Sequence, residues 1–123
     1  MSKICTETIT CPVEATIKLI GGKYKAVILW HLMNNTLRYN ELHKKMPKAT
    51  DKMLAQQLRE LERDGLINRT VYPVVPPKTE YSLTDFGKSL APILDAMCDW
   101  GYEYLEDSRN LNNAKISNEN TGK

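Results

Sequence analysis

Cysteine is scarce in this chain and odd in number: three in 123 residues, at positions 5, 11 and 98. Such a set builds no disulfide framework and fits a reducing compartment. Histidine is scarcer still. His31 and His43 lie far apart and away from every cysteine, so no zinc-ligand spacing can be drawn and no metal is expected. Long hydrophobic runs are missing as well. The longest, Ala26-Val27-Ile28-Leu29-Trp30, has five residues, against the roughly 20 of a membrane span. Met1 to Glu7 carry no apolar stretch of signal-peptide length. A cytoplasmic protein is the expectation. No nucleophile, base and acid fall into a recognisable set, so neither enzyme activity nor a cofactor is expected. Gly21-Gly22-Lys23 lacks both the earlier glycine and the following hydroxyl residue of a phosphate loop, and reads as a turn. His31, on an apolar helix, reads as a core histidine rather than a ligand.

The net charge is only +2, and the information lies in its distribution. From Arg38 to Arg59 stand six bases (Arg38, Lys44, Lys45, Lys48, Lys52, Arg59) and two acids, Glu41 and Asp51. From Thr84 to Asp107 stand one base, Lys88, and six acids. The first segment suits a polyanion and the second would be repelled by one.

The periodicity predicts a mainly helical domain with a small β-wing. Residues 1–10 read as a flexible arm. A first helix is expected from Pro12 to Ile20, with Val13, Ile17 and Ile20 on one stripe and Gly21-Gly22 as its stop. A second, Tyr24 to Met33, is apolar around most of its circumference and reads as central and buried. A short third helix spans Asn40 to Lys45, with Leu42 and Met46 inward, and ends at Pro47. The fourth runs from Asp51 to Asp64, capped by Thr50 and stopped by Gly65. Two β-like runs follow, with Ile67 and Val71 on one side of the first, and Tyr81 and Leu83 on one side of the second. Pro73-Val74-Val75-Pro76-Pro77 joins them as a stiff loop. Thr84 then caps a long last helix to about Asp107, in which Pro92 demands a kink or a restart. Leu90, Leu94, Met97, Gly101 and Tyr104 form a seam suited to packing on another helix. Residues 108–123, with five asparagines, read as a disordered tail.

The fourth helix carries the sharpest signal. Leu54, Leu58 and Leu61 fall within a narrow arc, while Lys52, Gln56, Arg59 and Arg63 fall opposite, with Met53 and Gln57 on the flank. Lysine and arginine match phosphate or guanine, and glutamine matches adenine. Two helices, a tight turn, a basic-faced helix and a β-hairpin make a winged helix-turn-helix, whose fourth helix enters the major groove. Asp51 cuts the other way, since a carboxylate there repels phosphate unless it accepts from a base or only caps.

Several segments together carry a family resemblance. They are Cys11-Pro12-Val13-Glu14, Leu19-Ile20-Gly21-Gly22-Lys23-Tyr24-Lys25, Leu37-Arg38-Tyr39-Asn40-Glu41-Leu42 and Lys52-Met53-Leu54. Leu58-Arg59-Glu60-Leu61-Glu62-Arg63-Asp64-Gly65-Leu66 and the stretch from Val71 to Thr84 complete the set. The chain from residue 11 to 105 resembles the HxlR-type transcriptional regulators, relatives of the MarR group. Tyr24 replaces the family's usual tryptophan, and Tyr39 its frequent phenylalanine; both keep an aromatic ring. The resemblance implies a DNA-binding regulator, homodimeric on a palindromic double-stranded operator, with the first and last helices at the dimer interface. It also implies that the cysteine of the Cys-Pro pair, here Cys11, can sense reactive small molecules.

The expected DNA-binding residues are therefore Arg38, Lys48, Thr50, Lys52, Met53, Gln56, Gln57, Arg59 and Lys78. Lys52, Gln56 and Gln57 are expected to read bases, while Arg38, Arg59 and Lys78, the last near the wing tip, hold the backbone. The expected dimer residues are Val13, Ile17, Leu90, Leu94, Met97, Gly101 and Tyr104. Cys11 stands at a helix start, where the dipole favours thiolate; Cys5 in the arm could resolve it, and Cys98 lies beside the seam. The competing function is a winged-helix protein-interaction module that never touches DNA. The basic stripe of the fourth helix speaks against it.

Overall fold

The computed structural model describes residues 11–122, with side chains to residue 108. The expected flexible arm, residues 1–10, lies outside the described residues, and Cys5 with it. The chain divides into two compact units, Met1–Leu90 and Ala91–Lys123.

In the first unit the order is α1 (Pro12–Ile20), α2 (Lys25–Leu32), β1 (Leu37–Arg38), α3 (Tyr39–Lys45), α4 (Asp51–Arg63), β2 (Ile67–Tyr72), β3 (Lys78–Leu83) and α5 (Asp85–Lys88). The helix starts follow local chemistry. Pro12 opens α1, where a missing N–H costs no hydrogen bond. Thr50 caps α4, its Oγ1 accepting from the Met53 backbone N–H at 3.1 Å. Gly65 ends α4 with φ +79°, a left-handed conformation that glycine adopts without strain.

The three strands form one antiparallel sheet in the order β1-β3-β2. Leu37 lies opposite Tyr81, and Ile67 opposite Leu83. The core gathers Ile28 and Leu29 of α2, Leu42 of α3, Leu54, Leu58 and Leu61 of α4, and Leu66 and Ile67 at the start of the hairpin. Burying each such side chain contributes about 1.5–3 kcal/mol, so α4 is anchored by three of the best-buried positions in the molecule.

One expectation is corrected here, the burial of α2, and two others are made more specific. Val27 and Trp30 are exposed, so α2 is not buried all round: it covers one face with Ile28, Leu29 and Leu32 and leaves another apolar face bare. Val71 is exposed although Ile67 is buried, because the hairpin runs out beyond the core. The helical stretch from Thr84 is broken, in line with the kink or restart expected from Pro92. Thr84 caps the one-turn α5, accepting from the Gly87 N–H at 2.9 Å, and a new helix begins after Leu90.

That helix, α6 (Ala91–Gly122), makes up the second unit. Pro92 sits in its first turn, where proline is tolerated, so the restart alternative holds. α6 runs past the end expected near Asp107 and takes in most of the segment expected to be disordered; no glycine or proline interrupts the sequence between Tyr102 and Thr121. Of the expected seam, Leu94 is buried and Gly101 half-buried, whereas Met97 and Tyr104 are exposed. Leu90, also in that seam, is buried in the turn before α6 and belongs to the first unit. Ile93, Met97, Trp100 and Tyr104, spaced +4, +3, +4, form a bare apolar stripe instead, with the Trp100 and Tyr104 rings stacked at 5.5 Å. Among the described residues, no helix is long and apolar enough to cross a membrane.

Candidate nucleic-acid interface

With its leucine face buried, α4 turns the opposite face outward. Lys52, Gln56 and Arg59 are exposed on it, and Thr50 and Lys48 are exposed at its N-terminal end. Among the described residues, Lys52 and Arg59 form no ion pair, so both cations are available to a polyanion. Arg63, at the far end of the stripe, is drawn aside by Asp64, its Nε 3.2 Å from Oδ1. Met53 is half-buried on the flank.

Gln57 does not belong to this face, which corrects its assignment as a base reader. It is only 6% exposed, and its Oε1 accepts from the Tyr24 backbone N–H at 3.2 Å. The amide fastens α4 to the turn between α1 and α2. Gly22 leaves room for it, since a Cβ there would collide with the Gln57 amide. The signal was available: at 100° per residue Gln57 stands only about 40° from Leu61, on the apolar side.

Asp51, the carboxylate that would repel phosphate, is engaged from α3. Its Oδ1 accepts from the Tyr39 hydroxyl at 2.9 Å and stands 3.7 Å from His43 Nδ1. Burial and the Asp51 hydrogen bond push the Tyr39 phenol up to about 12, so it remains a donor at neutral pH. His43 Nε2 donates to the Ala49 carbonyl at 2.9 Å, and its ring stacks on Tyr39. This small network ties the helix-turn-helix corner together at the N-terminus of α4. Periodicity alone gives no sign of it, because its members come from two helices and the turn between them.

Beside α4, the wing supplies further bases. Lys78 is the first residue of β3, opposite Tyr72 in the pair next to the loop and so near the tip, which is marked by the fully exposed Val75. Lys78 Nζ lies 3.3 Å from Glu80 Oε2 and 4.9 Å from the Tyr72 ring centre, so its charge is partly balanced. The neighbouring Glu80 carboxylate raises the pKa of the Tyr72 phenol. Arg38 is exposed at the start of α3, and its backbone N–H donates to Glu41 Oε1 at 2.8 Å. Arg38 and Lys78 line one open cleft of about 490 Å³ with the wing loop Val74–Pro77. A second cleft, about 410 Å³, lies between α4 and the sheet and is bordered by Arg59, Glu62, Arg69 and Tyr81. The sequence reading missed Arg69, an exposed base on β2. It shares strand parity with Ile67, and only the point where the core ends decides that it is a surface residue.

The two expected sites away from α4 stand on α1. Cys11 is its N-cap residue, half-buried, with a carbonyl that accepts from the Ala15 N–H at 2.9 Å. Val13 and Ile17 are both exposed. Cys98 on α6 is half-buried.

Residues 19–109 match the HxlR-like helix-turn-helix family. YdeP of Bacillus subtilis strain 168, an uncharacterized HTH-type transcriptional regulator, is 55% identical over 96 residues, covering 78% of this chain and 75% of YdeP. The oxidized form of the redox regulator HypR superposes with a TM-score of 0.73 at 49% identity, covering 76% of this chain and 96% of HypR. A chain assigned to the MarR family, from Porphyromonas gingivalis W83, reaches a TM-score of 0.76 at 37% identity over 83% of this chain and 98% of that one. These relatives are regulators rather than enzymes. With a winged helix-turn-helix built on an outward basic α4, this chain belongs to the HxlR-like helix-turn-helix family of transcriptional regulators.

Proposed function

We propose that the chain is a sequence-specific double-stranded DNA-binding regulator that acts as a homodimer on a palindromic operator. One observation carries the reading. α4 is held by three buried leucines and presents Lys52, Gln56 and Arg59 outward, with Thr50 and Lys48 at its start. In a winged helix that face enters the major groove. Gln56 and Lys52 then contact base edges, while Arg59, Arg69, Arg38 and Lys78 hold phosphates on either side. The exposed Val13 and Ile17 of α1, and the α6 stripe, offer apolar surface to a second copy. A gel shift with the chain's own upstream DNA at two salt concentrations tests the reading. Binding that weakens with salt and outcompetes random duplex supports it. No binding at either salt favours the protein-interaction module.

Cys11 extends the proposal. Its thiol stands at the positive end of α1, which favours thiolate, and the HypR relative is a redox regulator captured in an oxidized form. Oxidation or alkylation of Cys11 changes charge and volume at the start of α1, the helix that carries the exposed Val13 and Ile17, and so is expected to shift the spacing of the two α4 helices. Operator affinity is expected to change on mild thiol oxidation in the native chain and to stay constant in Cys11→Ser. A response that persists in Cys11→Ser removes Cys11 as the sensor.

A further inference from the structure

Gln56 does not stand alone on α4. Its Nε2 donates to Glu60 Oε2 at 3.1 Å. Glu60 Oε1 in turn meets Lys25 Nζ at 2.6 Å. Lys25 is the first residue of α2 and is only 5% exposed, an uncommon place for a lysine. The ammonium of Lys25, and after it the Gln56 amide, hold the Glu60 carboxyl below its usual value, so Glu60 is ionised at neutral pH. One turn away on the same flank, Gln57 bonds the Tyr24 backbone. The start of α2 thus grips α4 at two adjacent points, and the first grip ends on the side chain that faces out.

We infer that Lys25 and Glu60 are positioning residues for base reading: they fix the Gln56 amide so that its carbonyl oxygen is presented to the groove. This rests on the proposal that α4 reads DNA. The chemistry follows from the donor and acceptor inventory. An amide has two N–H donors and one carbonyl acceptor. With one N–H spent on Glu60, rotation about the last side-chain bond is stopped and Oε1 keeps a constant direction. An oxygen so held accepts from the amino group of adenine or cytosine and finds no partner in the thymine or guanine carbonyl. Lys25 reaches no base itself. Its buried charge holds Glu60, and Glu60 holds the amide. A merely stabilising ion pair would leave base preference untouched, and this is the difference to measure.

The test starts from the duplex that the native chain recovers from a randomised pool. Affinity is measured for that duplex, for its single base-pair variants and for random duplex. Gln56→Ala should cost about tenfold in discrimination at one base pair. Glu60→Ala should cost about threefold to tenfold in discrimination at the same pair, with random-duplex affinity no lower than that of the native chain, since a carboxylate is removed from the face. The Gln56→Ala/Glu60→Ala double variant should lose no more than Gln56→Ala alone. Lys25→Met should behave like Glu60→Ala, and Lys25→Arg should restore discrimination. If Lys25→Met fails to fold, Glu60→Ala decides, since Glu60 is partly exposed. Native discrimination in Glu60→Ala, or losses that multiply in the double variant, would overturn the inference while leaving α4 as the reader. Native discrimination in Gln56→Ala at every pair would overturn base reading by Gln56, and the inference with it.

Discussion

α4 and α6 carry the same sequence signal and meet opposite fates. Both place large apolar residues at +4 and +3 spacing. In α4, Leu54, Leu58 and Leu61 are at most 2% exposed. In α6, Met97, Trp100 and Tyr104 are between 48% and 67% exposed. Periodicity therefore fixes which residues share a helix face, and says nothing of whether the chain itself covers that face. α4 is finished within its own unit, and what it leaves outside is polar. The stripe of α6 is apolar and bare, the condition of a surface that meets another surface.

The strongest way to break this contrast is to cut into both stripes and compare the losses. Leu58→Ala should lower folding stability by about 2–5 kcal/mol in urea denaturation, because it opens a cavity among fully buried neighbours. A loss below about 1 kcal/mol would mean that α4 is not anchored as described.

Next in size comes Trp100→Ala. It should weaken self-association by about 2 kcal/mol or more, read as a shift toward monomer in sedimentation velocity. Unchanged association would move the interface off the Ile93–Tyr104 stripe. Leu94 is a poor probe for this purpose, since it is already buried and a charge there would test folding instead.

The polar side of the contrast is sharpened by salt. Arg59→Ala should reduce the slope of log affinity against log salt by about one, as expected for one phosphate contact. Lys78→Ala should reduce it by less, because Glu80 already balances part of that charge. Equal reductions would show that the Lys78–Glu80 pair opens on DNA.

The smallest effect concerns His31 on α2. Burial, and then the Lys45 charge, depress its pKa below 6.5. The unfolded chain therefore takes up a proton at higher pH than the folded one. Stability should decline as pH falls from 6.5 toward the depressed folded value, and should be unaffected above it. Denaturation of the native chain and of His31→Gln at pH 7.5 and pH 5.5 checks this: the variant should show the shallower decline.

Much of this was legible in the sequence, for identifiable reasons. α1 has the expected bounds because Pro12 and Gly21-Gly22 mark both ends, and α4 is one residue shorter than expected, with Asp64 as its cap. The hairpin follows from two β-rich runs around a proline cluster. Contacts between elements distant in sequence were hidden. Lys25 and Glu60 stand 35 positions apart, and nothing in either segment announces the pair. Gln57 was readable from its angle, yet amide chemistry suggested a reader where the structure holds a fastener. Exposure was the other blind spot: Val71, Arg69 and Trp30 depend on where the core stops, which local pattern does not encode.

Both halves of the contrast meet in one quantity, the number of chains on one operator. Sedimentation velocity of the native chain mixed with the duplex recovered from a randomised pool measures it. Two chains per duplex are expected, held together by apolar surface and placing two α4 helices about 34 Å apart, one turn of DNA. A single chain per duplex, or no co-sedimentation at low salt, would contradict the account.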